Sequence, residues 1–124
     1  MPLTTEQAAL NVVKLFEFAQ VAAVSADVDS FYFRPPPGAY TIVAVDVSAG
    51  NASSENFTAN LRRGTTSLFQ ATATADNVIV RKTTPETGQS TLVTGNDTLN
   101  VLIDMDGTGG PTKAYVAVWA VTKL

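Results

Sequence analysis

Three aspartates, Asp46, Asp104 and Asp106, come closest to acid–base chemistry in this chain. A pair of carboxylates can hydrolyse a glycosidic bond when one is held protonated near the other. Each of these three instead alternates with its neighbours along a strand-like run, the pattern of groups on a wet sheet face. Glu17 and Glu86 lie far away in sequence. Ser67, Ser90 and Thr66 would need a base to become nucleophiles, and the chain has neither histidine nor cysteine. That removes the commonest general base, the commonest zinc ligand and any thiolate site. Lys82 and Lys113 could act as bases only if desolvated, and both stand among polar residues. The stretch "DMDGTGG" (Asp104 to Gly110) opens like a calcium loop, but its twelfth position is Tyr115, where an EF-hand loop carries a bidentate glutamate. The expectation is a protein that is not an enzyme and has no metal and no cofactor. The triplets at Asn51, Asn56 and Asn96 match the glycan-acceptor pattern; in an Asn- and Thr-rich chain they read as turn chemistry.

Composition narrows the partners. The chain has 124 residues, enough for one domain with its own core. Net charge is −3, and the eight basic residues form no stripe that could track a phosphate backbone. Nucleic acid is therefore not expected as a partner. No apolar run is long enough for a transmembrane helix, so neither is a membrane. The start "MPLTTEQAAL" lacks a basic region followed by an apolar one, so no secretory signal is expected and the product is expected to be made in a cytoplasm. Only 15% of residues are charged while 45% are hydrophobic, against about 25% charged in an average domain. Such a surface suits a chain partly covered by copies of itself or by another protein.

Period-two alternation dominates from about Asp29 onward. In "YTIVAVDVS" it places Val43, Val45 and Val47 on one face and Tyr40, Ile42, Ala44 and Asp46 on the other. In "TLNVLIDMD", Leu99, Val101, Ile103 and Met105 oppose Thr98, Asn100, Asp104 and Asp106. Phe57, Ala59 and Leu61 share a face, as do Phe69, Ala71, Ala73 and Ala75, the latter set opposite Leu68, Gln70, Thr72 and Thr74. "KAYVAVWAVTKL" is apolar on both faces, so that strand is central or its second face is covered. Turn-rich stretches separate the runs, with no helix between them. This predicts an all-β chain: an antiparallel, jelly-roll-like β-sandwich of about eight strands with a short N-terminal arm or helix. Residues 1 to about 13 read as the arm, with a capping box from Thr4 to Gln7, and about 14 to 24 as the first strand. The divisions are 1–25 for arm and first strand and 26–124 for the sandwich, within a single domain.

Three consecutive prolines, Pro35 to Pro37, stand between two strand-like runs. Proline has no N–H and a fixed φ, so it cannot sit in a central ladder. "PPPG" is therefore a stiff corner that ends one strand and aims the next. Arg34 beside it is a candidate intersubunit donor, because its planar fork matches carboxylates and carbonyls. The phenylalanines sit at strand periods and read as core. Tyr32, Tyr40, Tyr115 and Trp119 carry polar handles and are interface candidates; Leu10 and Val13 join them from the N-terminal segment.

The succession of an aromatic strand, a Pro/Gly corner, "GAYTIVAVDVSAG", a polar loop, the "NLRRGTT" hairpin, "TLVTGNDTLNVLIDMDGTGG" and a closing "AYVAVWAV" strand resembles the jelly-roll modules of tailed-bacteriophage structural proteins. The likeness is to capsid decoration (cement) proteins above all, and it covers residues from about 28 to 124. It implies a homotrimer on the outer surface of the virion, made in the host cytoplasm and partnered by the major capsid protein. An N-terminal arm would reach along the shell, and the trimer would clamp capsomers against the pressure of packed DNA. Related modules also form receptor- or carbohydrate-binding heads of tail fibres and parts of baseplates, which is the alternative expectation.

Overall fold

The computed structural model describes residues 12–20, 29–105 and 111–122. The strands are β1 (Val12–Gln20), β2 (Asp29–Phe33), β3 (Ala39–Ser48), β4 (Phe57–Arg63), β5 (Thr66–Ala73), β6 (Val80–Lys82), β7 (Leu92–Thr94), β8 (Leu99–Met105) and β9 (Ala114–Thr122), with one helical turn, α1 (Ala52–Glu55), after β3. All pairings are antiparallel. One sheet runs β1-β9-β3-β6, with β7 also on β3; the other runs β2-β8-β4-β5. β6 and β7 pair with opposite ends of the same strand, Val45 to Val47 and Ala39 to Thr41. Counted as one interrupted strand, they give the eight-strand order of a jelly roll. The expected all-β sandwich is what the chain forms.

The core lies between the sheets and is built from β-branched and aromatic side chains at alternate positions. Phe57, Ala59 and Leu61 of β4 point into it, with Phe69, Ala71 and Ala73 of β5 and Leu99, Val101 and Ile103 of β8. β9 is a central strand, between β1 and β3. Its Ala114, Val116, Val118 and Ala120 are core, while Tyr115, Trp119 and Val121 lie half-buried on the outer side of the sheet.

Strict alternation fails at three strands, β3, β5 and β1, for one reason. In β3, Ile42 opposes Ala120 and Ala44 opposes Trp119, so Val43 is an extra residue. A bulge of this kind resets which face the following residues take. Tyr40, Ile42, Val45 and Val47 therefore all enter the core, and the expected grouping of Val43 with Val45 and Val47 is corrected. In β5, Leu61 opposes Phe69 and Arg62 opposes Ser67, which leaves Leu68 extra. Leu68 and Phe69 are consecutive, yet both are buried.

The first strand covers Val12 to Gln20 and so includes two residues read as arm, while its expected end near residue 24 lies outside the described residues. Val12 and Val13 are thus strand residues rather than arm. The proposed capping box, Leu10 and the tip of the "DMDGTGG" loop lie outside the described residues. β1 also carries a bulge, between Lys14 and Phe16. On the same flank, β1 of one sheet meets β2 of the other through two ring pairs, Phe16–Phe33 at 4.9 Å and Phe18–Phe31 at 4.7 Å between centroids.

The proline corner carries the chain from the four-stranded sheet, at Phe33, to the five-stranded sheet, at Ala39. It is held by the turn after β7. Gly95 N donates to Gly38 O at 3.1 Å, and the Tyr40 hydroxyl donates to Pro37 O at 3.4 Å. A Cβ on Gly95 would stand 2.8 Å from Pro37 Cα and 2.9 Å from Pro36 O, which are backbone atoms that cannot swing aside. At the other end of the sandwich, Ser53 donates through its N–H and its hydroxyl to Asp76 Oδ1 at 2.8 and 2.7 Å. Thr112 N donates to Asn51 Oδ1 at 3.0 Å. Asn51, the head of the first glycan-type triplet, is thus part of a loop-to-loop clasp.

Candidate interaction surface

The outer face of the five-stranded sheet combines charge, an aromatic ring and an apolar hollow. Its register puts Lys14 of β1 beside Trp119 of β9 and Trp119 beside Ala44 of β3. In the adjacent row, Glu17, Ala117, Asp46 and Arg81 run across β1, β9, β3 and β6. Asp46 faces away from the core, yet only 4% of it is exposed, because its neighbours close over it. Arg81 grips it with two bonds, Nε to Oδ1 at 2.7 Å and Nη2 to Oδ2 at 2.8 Å. Trp119 Nε1 adds a third, to Oδ2, at 3.0 Å. The guanidinium first and the indole N–H second hold the Asp46 carboxyl below the usual carboxylate value, against the opposing effect of burial. Lys14 Nζ stands 4.8 Å from the Trp119 ring centroid and also pairs with Glu17.

Beside this cluster lies a hollow of about 320 Å³ lined by Val12, Val43, Ala44, Arg81 and Trp119. The extra residue of the β3 bulge supplies one wall and the small Ala44 leaves the space. The hollow can seat an apolar group, and the outer edge of the Arg81 guanidinium, whose side chain is 57% exposed, offers further donors.

The sequence-derived candidates disperse over the molecule. Trp119 and Tyr115 do share this face, on alternate positions of β9. Tyr32 stands on β2 of the other sheet, 71% exposed, and Arg34 is exposed at the start of the proline corner. Tyr40 is corrected: it is a core residue, turned inward before the β3 bulge. Val13 is half-buried on β1, with its side chain packed against the core. Leu10 lies outside the described residues. Asp46 and Asp104 are on different sheets, so they form no carboxylate pair. Ser67 donates its hydroxyl to Asn60 Oδ1 at 2.6 Å. The partnership of Asp46 with Arg81 and Trp119 escaped the sequence reading. These residues are 35 and 73 positions from Asp46, and alternation grouped Asp46 with Tyr40 and Ile42.

No protein-family model, curated protein or solved structure matches this chain.

Proposed function

We propose that this chain is a structural virion protein, a capsid decoration protein that binds the outside of a phage head as a homotrimer and stabilises it. The observation that carries this reading is the outer face of the five-stranded sheet. It has Val12, Val43, Ala44 and Trp119 around one hollow, on the side turned away from the core. An apolar patch rimmed by charges on a sheet face is the kind of surface a protein partner covers. The jelly-roll strand order and the sequence resemblance support the same reading. The mechanism is mechanical: each subunit contributes a modest contact, and linking three on one rigid body multiplies them through effective concentration. Sedimentation of the protein with intact heads, together with its mass by light scattering, tests it. The expected result is an assembly whose mass is a multiple of three subunits, which cosediments and loses head binding when residues 1–11 are removed. A monomer without affinity for heads overturns it.

A second reading, a carbohydrate-binding head, draws on Tyr32, whose ring stands open to solvent on β2 and could stack on a sugar. It predicts glycan binding that Tyr32→Ala abolishes. Trp119 is less suited to that task, because Lys14 already stands over its ring and Asp46 takes its N–H.

A further inference from the structure

We propose that β1 is a self-complementary edge through which two copies of this chain pair about a twofold axis, joining their five-stranded sheets into one. Among the described residues, β1 pairs only with β9 and ends its sheet. Over Val12 to Ala19, alternate residues of β1 turn their backbone donors and acceptors to the side away from β9, the template for adding a strand. The second copy is chosen by the side chains. The run Val12-Val13-Lys14-Leu15-Phe16-Glu17-Phe18-Ala19 reads as its own complement when reversed. Antiparallel pairing about a dyad between Leu15 and Phe16 sets Lys14 against Glu17, Val13 against Phe18, and Val12 against Ala19.

In a regular strand this register would fail. Residues an odd number of places apart lie on opposite faces, so each pair would set an inward side chain against an outward one. The bulge between Lys14 and Phe16 removes the obstacle. Lys14 and Glu17 oppose Trp119 and Ala117, both on the outer face, while Leu15 and Phe16 both pack toward the core. Every pair in the dyad then matches: Lys14 with Glu17 outside, Val13 with Phe18 and Leu15 with Phe16 inside. The two lysines and two glutamates form an alternating ring, each charge between its own chain's partner and the other copy's. A second observation agrees. The inward residues of β1, Val13, Leu15, Phe16 and Phe18, are only half-buried, whereas those of β9 and β3 are closed to solvent. A second β1 alongside would cover them.

This contact goes beyond the threefold association proposed above; with both, the smallest closed assembly is a pair of trimers. The test uses Lys14→Glu and Glu17→Lys in the full chain. Each variant places like charges opposite each other twice across the dyad. Its association is expected to weaken about tenfold, with the light-scattering mass falling to half the wild-type value. An equimolar mixture of the two variants is expected to recover the wild-type mass, because each then meets its opposite. The charge pair within a chain stays broken in the mixture, so recovery reports the contact between chains. Unchanged mass in the single variants, or no recovery on mixing, overturns the proposal. A cysteine pair gives a readout independent of charge, since the chain has no native cysteine. Val12→Cys mixed with Ala19→Cys is expected to form a covalent dimer on mild oxidation, and its absence also overturns the proposal. A wild-type trimer whose mass the variants leave intact would sink this contact and keep the threefold one; a dimer split to monomers would do the reverse.

Discussion

The indole of Trp119 is pinned by Asp46, a carboxylate on the neighbouring strand that accepts its N–H at 3.0 Å while holding Arg81 with both oxygens. The cluster lies outside the core, yet it fixes the indole ring on that sheet face. Removing the charge tests its weight. Asp46→Asn keeps the shape but leaves Arg81 and Trp119 with a neutral amide, and is expected to cost about 1–2 kcal/mol in a denaturant titration at neutral pH. The figure is kept low because Arg81 is largely exposed and water screens its charge.

The same residue gives stability a pH dependence. Its folded pKa lies below the ordinary 3.8, chiefly through Arg81. The contribution is therefore present above that value and is lost as pH falls through it toward the folded pKa. Denaturant midpoints followed from neutral pH into acid are expected to drop more steeply for the wild type than for Asp46→Asn. Parallel curves would show that Asp46 is not the group responsible.

Two glycines should respond differently to the same change. Gly95→Ala drives a Cβ into the backbone of Pro36 and Pro37. Overpacking against atoms that cannot move is expected to cost about 1–3 kcal/mol. Gly64 has φ +60 with nothing near its Cβ position, so Gly64→Ala is expected to cost about 1 kcal/mol, the strain of a left-handed backbone alone. Thermal melts of the two variants rank them.

Val43 is the residue β3 has in excess. Its deletion is expected to leave a regular strand with Tyr40, Ile42, Val45 and Val47 still inward, and a cooperative melt. Deleting Leu102 from β8, which pairs in regular register with both neighbours, turns one half of that strand inside out and is expected to abolish folding. Circular dichroism and melting of the two deletions separate the cases.

Burial distinguishes the aromatics. Phe69→Ala, in the core, is expected to cost about 3–5 kcal/mol, and Tyr32→Ala no more than about 0.5 kcal/mol. Any loss of binding on Tyr32→Ala then reports a contact rather than a damaged fold.

The fold was legible because its signal is repeated. Phe57, Ala59 and Leu61, or Leu99, Val101 and Ile103, each announce an inward face, and turn residues mark the ends. The proline corner was legible because proline leaves few alternatives. The bulges were not. Nothing in "TIVAVD" marks Val43 rather than Ala44 as the extra residue; the choice depends on how β9 lies alongside. Leu68 illustrates the same limit beside Phe69. The Asp46 cluster was hidden twice over, first by the shift that the bulge introduces and then by the sequence distance to Arg81 and Trp119. Tyr40 misled because a phenol carries a polar tip, which here reaches Pro37 O from a ring that is otherwise core.

On the far side of the five-stranded sheet from β1, the margin is broken. β7 covers Ala39 to Thr41, β6 covers Val45 to Val47, and between them Ile42 N is bonded to Thr91 O at 2.9 Å. No incoming strand can lie along so short and divided a rim. Under the β1 pairing proposed above, this sheet takes a single addition and then stops. A pairing confined to β1 would then close the sheet instead of seeding a fibre.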